Sequence, residues 1–65
     1  MQVNLYYYIK KNGMTIQKFA ELVGCRREYM GKIIHGKKTP SVLLAAVIEK
    51  VTNGEVKAEE LTKPS

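Results

Sequence analysis

The sequence predicts an all-α protein, a bundle of four or five short helices, on three observations. Apolar residues recur at i, i+3 and i+4, the spacing that lines one face of a helix. The stretches that show it are followed by Asn12-Gly13, Gly24, Gly36 and Asn53-Gly54, where a left-handed C-terminal cap favours Gly or Asn. Two of them open on residues suited to a helix start, Thr15 and the pair Thr39-Pro40, because Thr caps and Pro is preorganised for the first helical position.

Taken in order, the first helix starts with Asn4 as N-cap and carries Leu5, Tyr8 and Ile9 on one face. It stops at Asn12-Gly13. The second is capped by Thr15, and Ile16, Phe19, Ala20, Leu22 and Val23 form its apolar stripe up to Gly24. The third runs from about Arg26 to His35, with Met30, Ile33 and Ile34 facing inward and Arg26, Arg27, Glu28, Tyr29 and Lys32 left for another face. Gly36-Lys37-Lys38 closes it. The fourth opens at Thr39-Pro40 and offers Leu43, Leu44, Val47, Ile48 and Val51 as a broad stripe to cover the first three. Glu55 to Leu61 reads as a short extended link and one helical turn, with Val56 and Leu61 under the core.

Length and composition restrict what such a chain can do. Its 65 residues make one domain, expected over residues 1–61, with Thr62-Lys63-Pro64-Ser65 as a disordered tail. Cys25 has no second Cys to bridge, and with only His35 for company it cannot build a zinc site. Apolar packing must hold the fold, which suits a reducing, cytoplasmic setting. The longest apolar run, Val42 to Ile48, has seven residues, far short of the ~20 that span a bilayer. The N-terminus lacks the pattern of a signal peptide. An enzyme is not expected: the chain has no Asp, and Cys25 and His35 stand ten residues apart without a third orienting group. No cofactor and no small-molecule substrate are implied.

Charge is unevenly spread. Residues 1–38 carry eight Lys or Arg against Glu21 and Glu28, a net +6, whereas residues 39–65 carry three Lys against four Glu, a net −1. A basic half beside a near-neutral one is the footprint of a polyanionic partner, nucleic acid or an acidic membrane surface.

Spacing separates these. Two helices that cross steeply through a short turn need a small residue where their backbones approach, and Ala20 supplies it. Four residues later the turn needs a residue that tolerates positive φ, and Gly24 supplies that. Phe19, Val23, Cys25, Met30 and Ile33 then plug the angle, so seven positions fall in register with a helix-turn-helix from about Thr15 to His35.

Here the chain resembles the Cro/repressor-like, or lambda-repressor-like, XRE-type helix-turn-helix family of bacterial and phage regulators. The likeness runs from Thr15-Ile16-Gln17-Lys18-Phe19-Ala20-Glu21-Leu22-Val23-Gly24-Cys25 through Tyr29-Met30-Gly31-Lys32-Ile33-Ile34-His35-Gly36 to Pro40. Asn53-Gly54-Glu55-Val56-Lys57-Ala58-Glu59-Glu60-Leu61 is also similar to the ending of short Cro-type proteins. Two positions depart from the pattern. Arg26 stands where the family often has Ser or Thr, so the hydroxyl cap of the recognition helix is missing, and Gly31 sits mid-helix, where Gly costs about 0.5–1 kcal/mol relative to Ala.

The resemblance implies that the N-terminal end of the third helix enters the major groove of double-stranded DNA while the second lies across the phosphates. It places Arg27, Glu28 and Lys32 on the outward face, with Arg26 at its entrance, as the residues that read bases. Arg matches the O6 and N7 acceptors of guanine, and Glu accepts from the cytosine amino group. Thr15, Gln17, His35, Lys37 and Lys38, at helix ends and in the following loop, then position the complex against phosphates. Lys10 and Lys11 are accounted for as cations at a helix C-terminus. The expected function is that of a Cro-type repressor acting by promoter occlusion, self-associating on an inverted-repeat operator. The alternative is the DNA-binding antitoxin of a toxin–antitoxin pair. A membrane-surface or RNA-binding module is the weaker reading, because Tyr6, Tyr7 and Tyr8 point about 100° apart on a helix and make no flat platform.

Overall fold

Five helices follow one another in a computed structural model that describes residues 2–62: α1 Val3–Lys11, α2 Ile16–Val23, α3 Arg27–Ile34, α4 Val42–Val51 and α5 Ala58–Thr62. Among the described residues there is no strand. Thr62, assigned to the tail from sequence, closes α5, and the rest of that expected tail, residues 63–65, lies outside the described residues. α2 packs on both α3 and α4, α4 on α5, and α1 on α3. All five helices therefore contribute to one core, made of Leu5, Ile9, Phe19, Ala20, Val23, Met30, Ile33, Ile34, Ala45, Ile48, Val56 and Leu61.

α1 buries Leu5 and Ile9, one turn apart, and sets Tyr8 edge-on against Phe19 with ring centroids 6.0 Å apart. Its start differs from expectation. The helix begins at Val3, with Gln2 in the cap position and no side-chain cap. The Gln2 backbone N–H instead donates to the Ile34 carbonyl at 2.7 Å, and the Asn4 side-chain amide turns away to Glu60 at 3.0 Å. Contacts to α3 and α5 outcompete the local cap.

α2 starts as the sequence predicts, with Thr15 Oγ1 accepting from the Lys18 backbone N–H at 3.0 Å. It ends at Gly24, whose φ of +83° lets both the Gly24 and the Cys25 N–H reach the Ala20 carbonyl. Such a dihedral is strained for any residue with a Cβ. Ala20 is buried at the crossing, and Phe19 and Val23 fill the angle beside it. Leu22 is not part of that stripe and is 47 % exposed. At about 100° per residue the buried arc runs from Phe19 through Val23 to Ala20, and Leu22 lies beyond Phe19 on the far side.

α3 is held by Met30, Ile33 and Ile34, all fully buried. Its cap position, Arg26, offers no side-chain hydrogen bond, so packing rather than capping secures this helix. Glu28 in the first turn contributes a favourable charge near the helix N-terminus.

α4 corrects two expectations. Its cap is Ser41, with Oγ accepting from the Leu44 N–H at 3.1 Å, and not Thr39. Pro40 is buried one residue ahead of that cap rather than occupying the first helical turn. Ser is at least as good a cap as Thr, and with Ser41 capping, the start falls two residues later than Thr39 would put it. The buried side of α4 is Ala45 and Ile48, flanked by the half-buried Leu44, Val47 and Val51. Leu43, expected in the stripe, is 78 % exposed, as is Val42. Leu43 sits roughly 140° around the helix from Ile48.

The ending agrees with the sequence reading, with Val56 and Leu61 buried below a short link and one turn of helix. Two polar groups on α4 organise it. The buried Thr52 hydroxyl donates to the Glu49 carbonyl and accepts from the Val56 N–H, each at 3.2 Å. Glu49 Oε1 accepts from the Ala58 N–H at 2.7 Å, which caps α5 from outside.

Candidate nucleic-acid interface

The α2-turn-α3 unit buries one side of α3 and leaves the other bare. With Met30, Ile33 and Ile34 inside, Arg27, Glu28 and Lys32 are exposed, Glu28 and Lys32 opposite the buried residues and Arg27 at the N-terminal end beside them, and Arg26 is exposed at the helix entrance. Among the described residues the one ion pair joins Lys11 to Glu55, so none of these four charges is spent inside the protein. Among the described residues Glu28 makes no ion pair with Arg26 or Arg27.

Thr15 and Gln17 are exposed at the start of α2, His35 is the exposed C-cap of α3, and Lys37 and Lys38 are exposed in the loop that follows. Thr15 already accepts the Lys18 N–H, and Gln17 makes only a long 3.4 Å contact to Glu21. A cleft of about 430 Å³ brings Thr15 and Gln17 together with Arg27 across the helix-turn-helix. Its floor is apolar, built by Ile9, Met14 and Ile16. Arg26, Glu28, Lys32, His35, Lys37 and Lys38 lie outside this cleft.

A helix-turn-helix family model matches residues 5–58, from the third residue of α1 to the first of α5. The chain belongs to the XRE-type, lambda-repressor-like helix-turn-helix family, a family of DNA-binding regulators. No curated protein and no solved structure gives a match.

Within this helix-turn-helix the residues that the structure keeps busy are separable from those it leaves free. Cys25 is half-buried against the core, and desolvation pushes its thiol above the usual value, so the nucleophilic thiolate is disfavoured. Gly31 has open space around it, since a Cβ built there meets no atom within 4 Å. Its missing side chain is not demanded by a neighbouring helix. Of the three tyrosines of α1, Tyr7 is well exposed, Tyr6 is at the margin and Tyr8 packs on the core, which gives no shared aromatic platform.

The two lysines that end α1 differ although they are adjacent. Lys11 hydrogen-bonds Glu55, which raises its affinity for a proton above the ordinary lysine value. Lys10 lies 5.4 Å from the ring centroid of Tyr6 and, with Tyr6, lines the same cleft as Thr15, Gln17 and Arg27. Sequence alone accounts for Lys10 as a cation at a helix C-terminus, and the structure adds its place on this cleft. Among the described residues no cluster of three metal-ligating side chains occurs, and no helix is long and apolar enough to cross a membrane.

Proposed function

We propose that this protein is a sequence-specific transcriptional repressor of Cro type that binds an operator through α3 and acts by promoter occlusion in the cytoplasm. The observation that carries the reading is the free N-terminal end and outer side of α3: Arg26, Arg27, Glu28 and Lys32 are exposed on a helix that Met30, Ile33 and Ile34 anchor in the core. A rigid helix with unspent hydrogen-bonding groups is what base readout in the major groove requires. Arg27 and Glu28 read bases, and Lys32 and Arg26 extend the contact. Thr15, Gln17, His35, Lys37 and Lys38 position the complex against the phosphates.

Two copies bind together. One short helix reaches only a few base pairs, too few for discrimination among the competing sites of a genome. A twofold pair reads an inverted repeat whose half-sites lie about 34–36 Å apart. The near-neutral half, α4 and Asn53 to Leu61, is the side for self-association, and the exposed Val42 and Leu43 of α4 belong to it.

Selection of DNA fragments from a random pool by the purified chain tests this directly. A shared, twofold-related motif is the expected outcome. Recovery of unrelated fragments would remove the sequence-specific reading, and co-purification with a toxin encoded beside it would replace repressor by antitoxin.

A further inference from the structure

On the reading that α3 enters the major groove, we infer that α1 is a third contact element, with Lys10 holding a backbone phosphate beside the groove. The cleft between α1 and the helix-turn-helix carries Lys10 and Tyr6 on one wall and Thr15, Gln17 and Arg27 on the other, and no carboxylate lines it. Two cations with no internal counter-charge facing one opening leave a positive site that an anion completes. Arg27 makes this opening continuous with the base-reading surface of α3, so the anion that reaches it when the duplex is bound is a phosphate of the same duplex.

The comparison with Lys11 distinguishes a contact from a general cationic surface. Both lysines close the last turn of α1, and both lie over a tyrosine one turn earlier, at 5.4 Å for Lys10 over Tyr6 and 5.7 Å for Lys11 over Tyr7. A helix-end role or a stacking role would treat them alike. Lys11, however, is turned to Glu55, whereas Lys10 is turned to the cleft. The Tyr6 ring lies beside the Lys10 ammonium and narrows the rotamers that it samples at the cleft. Lys10 is thus a positioning residue, contributing affinity and orientation but no sequence preference.

The test is fluorescence anisotropy with the full chain on two duplexes, one selected by the protein and one of random sequence, across a range of salt concentration. Lys10→Gln is expected to weaken binding to both duplexes by the same factor and to reduce the slope of log K against log salt by about 0.9, the signature of one lost phosphate contact. Lys10→Arg should restore the slope, and Lys11→Gln should leave it unchanged. Circular dichroism confirms that each variant is folded. If the wild-type chain binds its selected duplex and Lys10→Gln leaves the slope intact, or lowers it no more than Lys11→Gln does, the α1 contact is overturned while the DNA-binding reading stands. If the wild-type chain binds neither duplex, both fall together.

Discussion

α3 and α4 are anchored in the same core, yet their starts and outer surfaces are opposite in character. α4 has a hydroxyl cap from Ser41 and an outer surface on which Val42 and Leu43 are each 78 % exposed. α3 has no side-chain cap, and its outer surface is charged. One helix is locally well made and chemically plain outside. The other depends on packing for its position and keeps Arg27, Glu28 and Lys32 uncommitted. A reading helix needs this combination, because side chains used to stabilise the helix itself are not free to meet bases.

The largest expected effect tests whether the two helices share one core. Ile33→Ala in α3 and Ile48→Ala in α4 each remove a fully buried side chain and should each cost ~2–5 kcal/mol, much of the total in a domain this small. Urea denaturation followed by circular dichroism measures it. If one variant unfolds while the other keeps wild-type stability, the common core is disproved.

A smaller effect on binding alone separates the outer surfaces. Arg27→Ala should leave the melting temperature nearly unchanged while weakening binding to a selected duplex by ~1–3 kcal/mol, as expected for a lost bidentate base contact. Equal weakening on random DNA would reassign Arg27 to phosphate positioning.

The contrast in capping gives an effect near 1 kcal/mol. Ser41→Ala should destabilise the protein by ~0.5–2 kcal/mol, as loss of an N-cap does, whereas Thr39→Ala should be close to neutral. A larger loss from Thr39→Ala than from Ser41→Ala would move the start of α4 back to where sequence alone puts it. The smallest effect is on the outside of α4: Leu43→Ser should change stability by less than ~0.5 kcal/mol because the side chain touches little within one chain. Its consequence should appear instead as a loss of affinity for an inverted repeat with no loss for a single half-site, and equal affinities to wild type on both would take α4 off the self-association side.

Where the controlling interaction is local, the sequence was informative. Thr15 three residues before Lys18, Gly24 four after Ala20, and the inward set Phe19, Ala20, Val23, Met30 and Ile33 were all legible, because capping, positive φ and helical spacing act within a few residues of chain. The exposure of Glu28 and Lys32 followed from the same spacing. Asn4 looked equally suited to cap a helix, but a partner fifty-six residues away, Glu60, takes its amide. Spacing also overestimated the apolar stripes, since Leu22 and Leu43 carry the right residue type at the wrong angle to the buried arc.

By itself, then, the sequence determined the helix-turn-helix, the closing of α2 at Gly24 and the charge that the outer surface of α3 presents, since each is set by the conformational preferences and spacing of neighbouring residues. Tertiary structure alone decided where α1 begins, that Glu49 caps α5 from another helix, and that Lys11 faces Glu55 while Lys10 faces the cleft with Arg27. Those outcomes depend on which groups distant in the chain are brought within hydrogen-bonding reach, and a carboxylate from another helix can outweigh a local preference of about 1 kcal/mol.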